Sequence, residues 1–370
     1  MKDRIAPRAF VASIGAMVIL STLATCAPAP RGVAVASKPT RSYFMGFSVM
    51  PPRPDINVAL KSLDIWTRRA DAAIMHVDVP WAQMLAGGSP EDALRKDGVD
   101  LEKYYRSKHL KLVVTIDVTN GLARESEAAA LVAAHRSITE PAIQQLYRRY
   151  VRAVVEMLRP DYLGLAAETN LIRLAAPRPV YDAVVRMTND AAADVRRLRT
   201  FAELPLYASV QVETAWGRLG RQGGNGFVGI AEDLRDFPFN NVLALSSYPY
   251  LGGFKDPRDM PIDYYTRLRA GHALPEMVVE GGWPSVSVSG VFSSSPEMQA
   301  RYIARQAELL DNANAIGVFQ LSFTDIDVGS FPKPQPQILP LFATLGLVDV
   351  DLKPKPSLPT WDKVFARRLR

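Results

Sequence analysis

From residue 43 onward the chain alternates short apolar runs with longer stretches whose apolar positions recur at helical spacing. The runs at 43–49, 72–79, 110–118, 161–168, 206–213, 242–248, 276–280 and 315–323 predict buried strands. Stretches at 141–158, 180–198, 264–270 and 296–312 predict helices between them. Successive runs begin roughly 30 to 50 residues apart, room for one helical crossover each. Strict alternation of strand and helix implies a parallel sheet. Eight such units over about 300 residues predict a closed α/β barrel, the (β/α)8 or TIM fold, as a single domain.

The punctuation agrees. Thr139-Glu140-Pro141 places a cap-capable residue two before a helix-starting proline, and Ser295 directly precedes Pro296. Pro51-Pro52-Arg53-Pro54 predicts a rigid loop after the first strand. The Gly-rich segment 217–229 lacks a helical period and reads as a long loop over the barrel mouth or as a plain connector. The proline-rich tail 332–359 is expected to wrap the barrel surface.

Two of the apolar runs end abruptly in Glu168 and Glu280. A carboxylate at the end of a buried strand is costly unless something there uses it. In parallel barrels the reacting groups sit at the C-terminal strand ends. Those ends carry His76 and Asp78, Asp117 and Asn120, Glu168 and Asn170, Glu213 and Trp216, Tyr248 and Tyr250, Glu280 and Trp283, and Asp325 and Asp327. Carboxylates, amides and aromatic rings on one face suit a sugar, with rings stacking on its faces and carboxylates bonding its hydroxyls. Asp78, Asp117, Asn170, Glu213, Trp216, Tyr250, Trp283 and Asp325 are the candidate substrate-binding residues. Packing competes with these roles, and for Glu168 the competing reading is an ion pair with Arg173. His76, Asp78 and Asp117 together offer a third reading, a metal-dependent hydrolase. The favoured expectation has no metal and no cofactor. The sequence contains no phosphate-binding Gly-rich loop ending in Lys-Ser or Lys-Thr, no His-Glu-x-x-His and no Gly-x-Ser-x-Gly.

The N-terminus changes the picture of where the protein works. Lys2, Arg4 and Arg8 precede an apolar segment from Ala9 to Leu20, too short to span a bilayer comfortably. It runs into Ser21-Thr22-Leu23-Ala24-Thr25-Cys26, which resembles a bacterial lipobox. Cys26 is the only cysteine in the chain. It is therefore expected to carry a lipid anchor, and intramolecular disulfides and Cys-ligated zinc sites are excluded. This divides the chain into a signal peptide at 1–25, a flexible Pro/Ala/Ser-rich tether at 26–41 and the barrel domain at 42–370. The formal charge is +6, of which Lys2, Asp3, Arg4 and Arg8 supply +2, leaving about +4 for the rest. That excess is spread out, without a basic block, which argues against a nucleic-acid partner. An exported, membrane-anchored monomer with a carbohydrate substrate is the expectation.

The strand ends resemble those of a known group. Val278-Val279-Glu280-Gly281-Gly282-Trp283-Pro284-Ser285 is similar to the nucleophile segment of endo-β-glucanases and galactanases in the large clan of retaining (β/α)8-barrel glycoside hydrolases. Leu163-Gly164-Leu165-Ala166-Ala167-Glu168-Thr169-Asn170 occupies that clan's acid/base position, and Ser246-Ser247-Tyr248-Pro249-Tyr250 resembles its sixth-strand segment. The resemblance implies a double displacement with Glu280 as nucleophile, Glu168 as acid/base and Tyr248 bonding Glu280. It departs at Ala167, where the clan places an asparagine that bonds the sugar 2-hydroxyl, and at the eighth strand, which ends in Phe319-Gln320-Leu321-Ser322-Phe323 without the clan's tryptophan. The leading expectation is a retaining glycoside hydrolase acting on a β-linked poly- or oligosaccharide. The alternative is a carbohydrate-binding barrel lipoprotein of the cell envelope that has lost catalysis, and Ala167 is its support.

Overall fold

A computed structural model describes residues 39–219, 226–333 and 336–370. The predicted signal peptide, the anchor at Cys26 and most of the tether lie outside the described residues, as do parts of the Gly-rich loop and the tail. Eight strands form the barrel: β1 (Phe44–Ser48), β2 (Ala72–Asp78), β3 (Lys111–Asp117), β4 (Tyr162–Ala166), β5 (Leu206–Gln211), β6 (Leu243–Ser247), β7 (Glu276–Gly281) and β8 (Gly317–Gln320). Each pairs in parallel with the next, and β1 closes the ring by pairing Phe44 with Gly317 and Phe47 with Gln320.

Side chains on successive strand positions point to opposite faces, so the strands feed two separate cores. Met45, Phe47, Ala73, Val114, Leu163 and Val278 join the large outer core beneath the helices. Phe44, Ile74, Val113, Tyr207, Ala244, Met277 and Phe319 fill the barrel interior. Moving two residues along each strand from the inner set leads to Gly46 and Ser48, His76, Thr115 and Asp117, Ser209 and Ser246. The interior is thus apolar at the floor and polar at the mouth.

The helices Pro141–Leu158, Arg178–Arg197 and Pro296–Ala313 lie where the pattern predicts them. Ser295 caps the last, accepting from Met298 N at 3.2 Å. Thr139 does not cap its helix. Glu140 takes that position, and its carboxylate accepts from Ser137 N and Arg136 Nε, both at 2.7 Å. The helix expected at 264–270 is only a 3-10 turn, Thr266–Arg269. The two tyrosines before it are buried in the core, and Tyr264 stacks on Trp216, which fixes the backbone ahead of any helical turn.

The chain is already packed at Thr40–Arg41, which pairs in parallel with Arg368–Leu369. Arg41 is buried, and its guanidinium meets the Asp71 carboxylate at 2.7 and 3.1 Å. The expected tether therefore stops short of these two residues, because a buried cation must keep its partner. In the tail, Trp361 of the helix Ser357–Phe365 packs its ring 4.6 Å from that of Phe47 and covers the outside of β1.

Glu213, expected to contact substrate, is instead an internal strut. It is fully buried just after β5. It accepts from Ser247 Oγ at 3.1 Å, Tyr248 N at 2.9 Å, Tyr264 Oη at 2.6 Å and the Gln211 amide. These four donors tie the ends of β5 and β6 together and leave the carboxylate no capacity for a ligand. Burial pushes this carboxyl up to about 7 against the pull of its donors, from an ordinary value of 4.5. The native state then holds the proton more tightly than the unfolded chain does. Its contribution to stability falls as pH rises from about 4.5 through about 7 and is level above. Glu213→Gln cannot ionise and turns an amide N–H₂ toward converging donors, so it is expected to be less stable than wild type. The difference should shrink by about 3 kcal/mol between about pH 4.5 and about pH 8 in urea unfolding. A constant difference across that range would refute this account.

Candidate active site

The two candidate carboxylates reach the mouth through local departures from regular strand. Pairing of β4 with β5 shifts register between Gly164 and Ala166. Two residues later Glu168 adopts left-handed backbone, φ 49° and ψ 48°, immediately before the helix Thr169–Ala175. That conformation costs a non-glycine residue about 1 kcal/mol or more. Here the Glu168 N–H is held by Ser209 Oγ at 3.0 Å. On β7 the register with β6 slips by one: Leu245 faces Val278, but Ser246 faces Glu280. The extra residue, Val279, stays in the inner core, and the bulge turns the following Glu280 toward the mouth as well. A Cβ on Gly281 would lie 2.6 Å from the Ser247 carbonyl oxygen. Only glycine lets β7 press this closely on β6 just beyond Glu280.

Around these carboxylates the mouth is densely bonded. The Tyr248 hydroxyl donates to Glu280 Oε1. His76 Nε2 lies 3.6 Å from Glu280 Oε2, while its Nδ1 is 3.3 Å from Ser48 Oγ. Glu168 accepts from Ser246 Oγ at 2.7 Å and from Arg124 Nε at 3.0 Å. Arg124 Nη1 also reaches both oxygens of Asp117, at 2.6 and 2.7 Å. Burial raises the Glu168 carboxyl above its usual range and the Glu280 charge adds to this, while Arg124 and the Ser246 hydroxyl hold it back. Burial likewise raises Glu280, opposed by Tyr248 and Arg124. Burial drives His76 down to about 4, so its imidazole is neutral at ordinary pH. The buried Nε2 has no hydrogen-bond partner among the described residues.

Other candidates sit elsewhere. Asp78 is exposed at the end of β2, in register with Asp117 on β3. Asn170 is buried, with its amide bonded to the backbone O and N of Gln211, both at 2.8 Å. Trp283 is buried, donating to Ser294 Oγ at 2.9 Å and packed against Tyr302. Tyr250 is buried and donates to the Leu341 carbonyl at 3.1 Å. Trp216 donates to the Tyr264 carbonyl at 3.0 Å, stacks on that ring and lies under the Arg267 guanidinium. Asp325 meets Lys355 Nζ at 2.6 Å and Gly346 N at 3.1 Å, tying the tail to the loop after β8. These five and Glu213 have their polar groups bound within the protein, so the structure does not bring those groups to the mouth as free substrate contacts. The partner suggested for Glu168 is corrected. Arg173 pairs with Glu232 and Asp233, and the cation on Glu168 is Arg124.

Arg124, Ser246 and Ser209 were not among the candidates. Ser209 and Ser246 stand on inward-facing positions two beyond Tyr207 and Ala244, a period that could have found them. Arg124 follows the turn pair Asn120-Gly121 after a strand-end aspartate, which signals a chain folding back over its own strand. Among the described residues no group of three or more His, Cys, Asp or Glu could hold a metal ion. Asp117, one of the three residues of the metal reading, spends both oxygens on Arg124. No helix among the described residues is long and apolar enough to cross a membrane.

No family model matches the sequence, and no curated protein matches it. Solved structures do. GH5_18 from Streptomyces cattleya, in complex with GlcNAc, superposes with a TM-score of 0.63 at 16% identity over 90% of this chain and 83% of that one. The exo-β-1,4-mannosidase Op5Man5 from Opitutaceae bacterium strain TAV5 gives 0.58 at 16% identity, over 90% of this chain and 62% of that longer one. A family 39 glycoside hydrolase from the gut symbiont Bacteroides cellulosilyticus WH2 gives 0.58 at 18% identity, over 88% and 64%. At such identities the likeness establishes architecture: the chain has the (β/α)8-barrel fold of these glycoside hydrolases, in a strongly divergent form.

Proposed function

We propose that the protein is an exported glycoside hydrolase that cleaves a β-linked poly- or oligosaccharide with retention of anomeric configuration. The observation that carries this reading is the pair of carboxylates, Glu168 after β4 and Glu280 on β7, turned onto one mouth by separate backbone irregularities. Two buried strands each break regular pairing to bring a carboxylate to the mouth, a cost that points to a use for the charge there. The fold shared with glycoside hydrolases supports the same class. Export and lipidation at Cys26 rest on the N-terminal sequence.

In the first step the Glu280 carboxylate attacks the anomeric carbon while Glu168 gives its proton to the departing glycosidic oxygen. In the second, Glu168, now ionised, takes a proton from water. That water displaces Glu280 from the anomeric carbon and restores the starting configuration. The Tyr248 hydroxyl orients Glu280 and favours its charged form. Neutral His76 sits beside Glu280, its Nε2 3.6 Å from Oε2.

Three outcomes are expected. Incubation with a panel of aryl β-glycosides and β-glycans, followed by proton NMR, should show the β-anomer of the product first. An α-anomer first would overturn retention. Binding to glycans with no hydrolysis would favour the carbohydrate-binding alternative, which Ala167 and the internally bonded Asn170 support. Glu280→Gln should abolish turnover, and Glu168→Gln should slow it by about 10²- to 10⁴-fold, least for substrates with acidic leaving groups. Wild-type rates in either variant would refute the assignment. Tyr248→Phe should lower kcat by about 10²-fold. It should also move the acidic limb of the kcat/KM profile to higher pH, because Glu280 loses the donor that favours its ionised form. An unmoved limb would reduce Tyr248 to packing.

A further inference from the structure

We propose that Arg124 is a positioning residue for Glu168, held over the barrel mouth by Asp117, and that this clamp sets the proton affinity of the acid/base. The inference rests on the glycosidase reading for its catalytic consequence but not for its structural basis.

The loop after β3 is built around this arginine. Thr119 N donates to Asp117 Oδ1 at 3.2 Å and Leu122 N to Asn120 Oδ1 at 3.1 Å. Asn120 N reaches the Ser126 carbonyl at 3.1 Å, and Thr119 bridges Glu127 in antiparallel fashion. Glu127 then accepts from Ile138 N at 2.6 Å and Ser137 Oγ at 3.0 Å, pinning the far side. A Cβ on Gly121 would fall 2.9 Å from Asp117 Oδ2, so glycine lets the turn fold down onto that carboxylate. The result is a short antiparallel loop with Arg124 turned inward, its side chain only 8% exposed.

One guanidinium thus spans two carboxylates, Nη1 on Asp117 and Nε on Glu168. A buried cation shared this way acts on each partner less than it would alone. The groups that face Glu168 come from every neighbouring strand: His76 on β2, Asp117 and Arg124 on and after β3, Ser209 on β5, Ser246 and Tyr248 on and after β6, and Glu280 on β7. Arg124 is the one fixed cation in this set, since His76 is neutral. With the Ser246 hydroxyl it opposes the burial and like charge that favour protonated Glu168, and of the two it alone brings a charge. An acid/base must both give and take a proton, and the clamp keeps Glu168 between those tasks.

The test exploits opposite signs. Full-length protein carrying 13C-labelled glutamate is titrated by NMR, with the Glu168 signal assigned by its loss in Glu168→Gln. Arg124→Met should raise the Glu168 midpoint by about one pH unit or more, and the alkaline limb of kcat/KM should follow. Asp117→Asn releases the full charge of Arg124 onto Glu168 and should lower the midpoint. Arg124→Lys keeps the charge without the fork, so the midpoint should stay near wild type while kcat falls. Unmoved midpoints in Arg124→Met, shifts of the same sign in Arg124→Met and Asp117→Asn, or wild-type kcat in Arg124→Lys would overturn the proposal. If Arg124→Met loses its near-ultraviolet circular dichroism, Asp117→Asn and Arg124→Lys still decide it. If the wild type hydrolyses no glycoside, the glycosidase reading fails while the titrations still judge the clamp.

Discussion

Closure of eight strands into a ring is the constraint on which the rest depends. A closed barrel has one inside, and every second residue of every strand must fit there. Near the floor, Phe44, Val113, Tyr207 and Phe319 fill it with apolar volume. Toward the mouth the same inward positions become Ser48, His76, Asp117, Ser209 and Ser246, which have nowhere to turn except toward each other and water. Polar groups gathered this way must satisfy one another. The bonds among Arg124, Asp117, Glu168 and Ser246, and between Tyr248 and Glu280, are that satisfaction.

Regular strands alone would not have produced this site. Glu280 follows Val279, an inner residue, so an unbroken alternation would have sent it outward under the helices. The one-residue slip against β6 reverses that. Glu168 lies two residues beyond the end of β4 and owes its direction to a left-handed turn. The backbone pays for both departures, and donors on neighbouring strands hold them: Ser209 on the Glu168 amide, Ser246 on its carboxylate, Tyr248 on Glu280.

Most of the barrel was legible because its signal is periodic. Apolar runs at crossover spacing count strands, and the two glutamates stood out as charges ending such runs. What the pattern could not convey was which side a residue faces once the period breaks. Glu213, Asn170 and Trp283 stand at or just beyond strand ends much as Glu280 does, yet a turn of helix directs the first two into the wall and Ser294 and Tyr302 hold the third there. Trp216 and Tyr250 are aromatic and near the mouth, the profile of a sugar platform, but Tyr264 and Phe292 already occupy their rings. Arg124 escaped for a different reason. It belongs to a loop, seven residues beyond the Asp117 it grips, and only the fold of that loop brings it back.

The pairing of Thr40–Arg41 with Arg368–Leu369 has a directional consequence. Both segments lie against the N-terminal strand ends: Arg41 grips Asp71, one residue before β2, and Arg368 N reaches the Pro39 carbonyl at 3.0 Å. Anything that holds this chain by its leading segment grips the barrel from beneath. The mouth bearing Glu168 and Glu280 lies at the other end of the barrel, so a load carried by the paired termini falls on the floor and not on the two carboxylates.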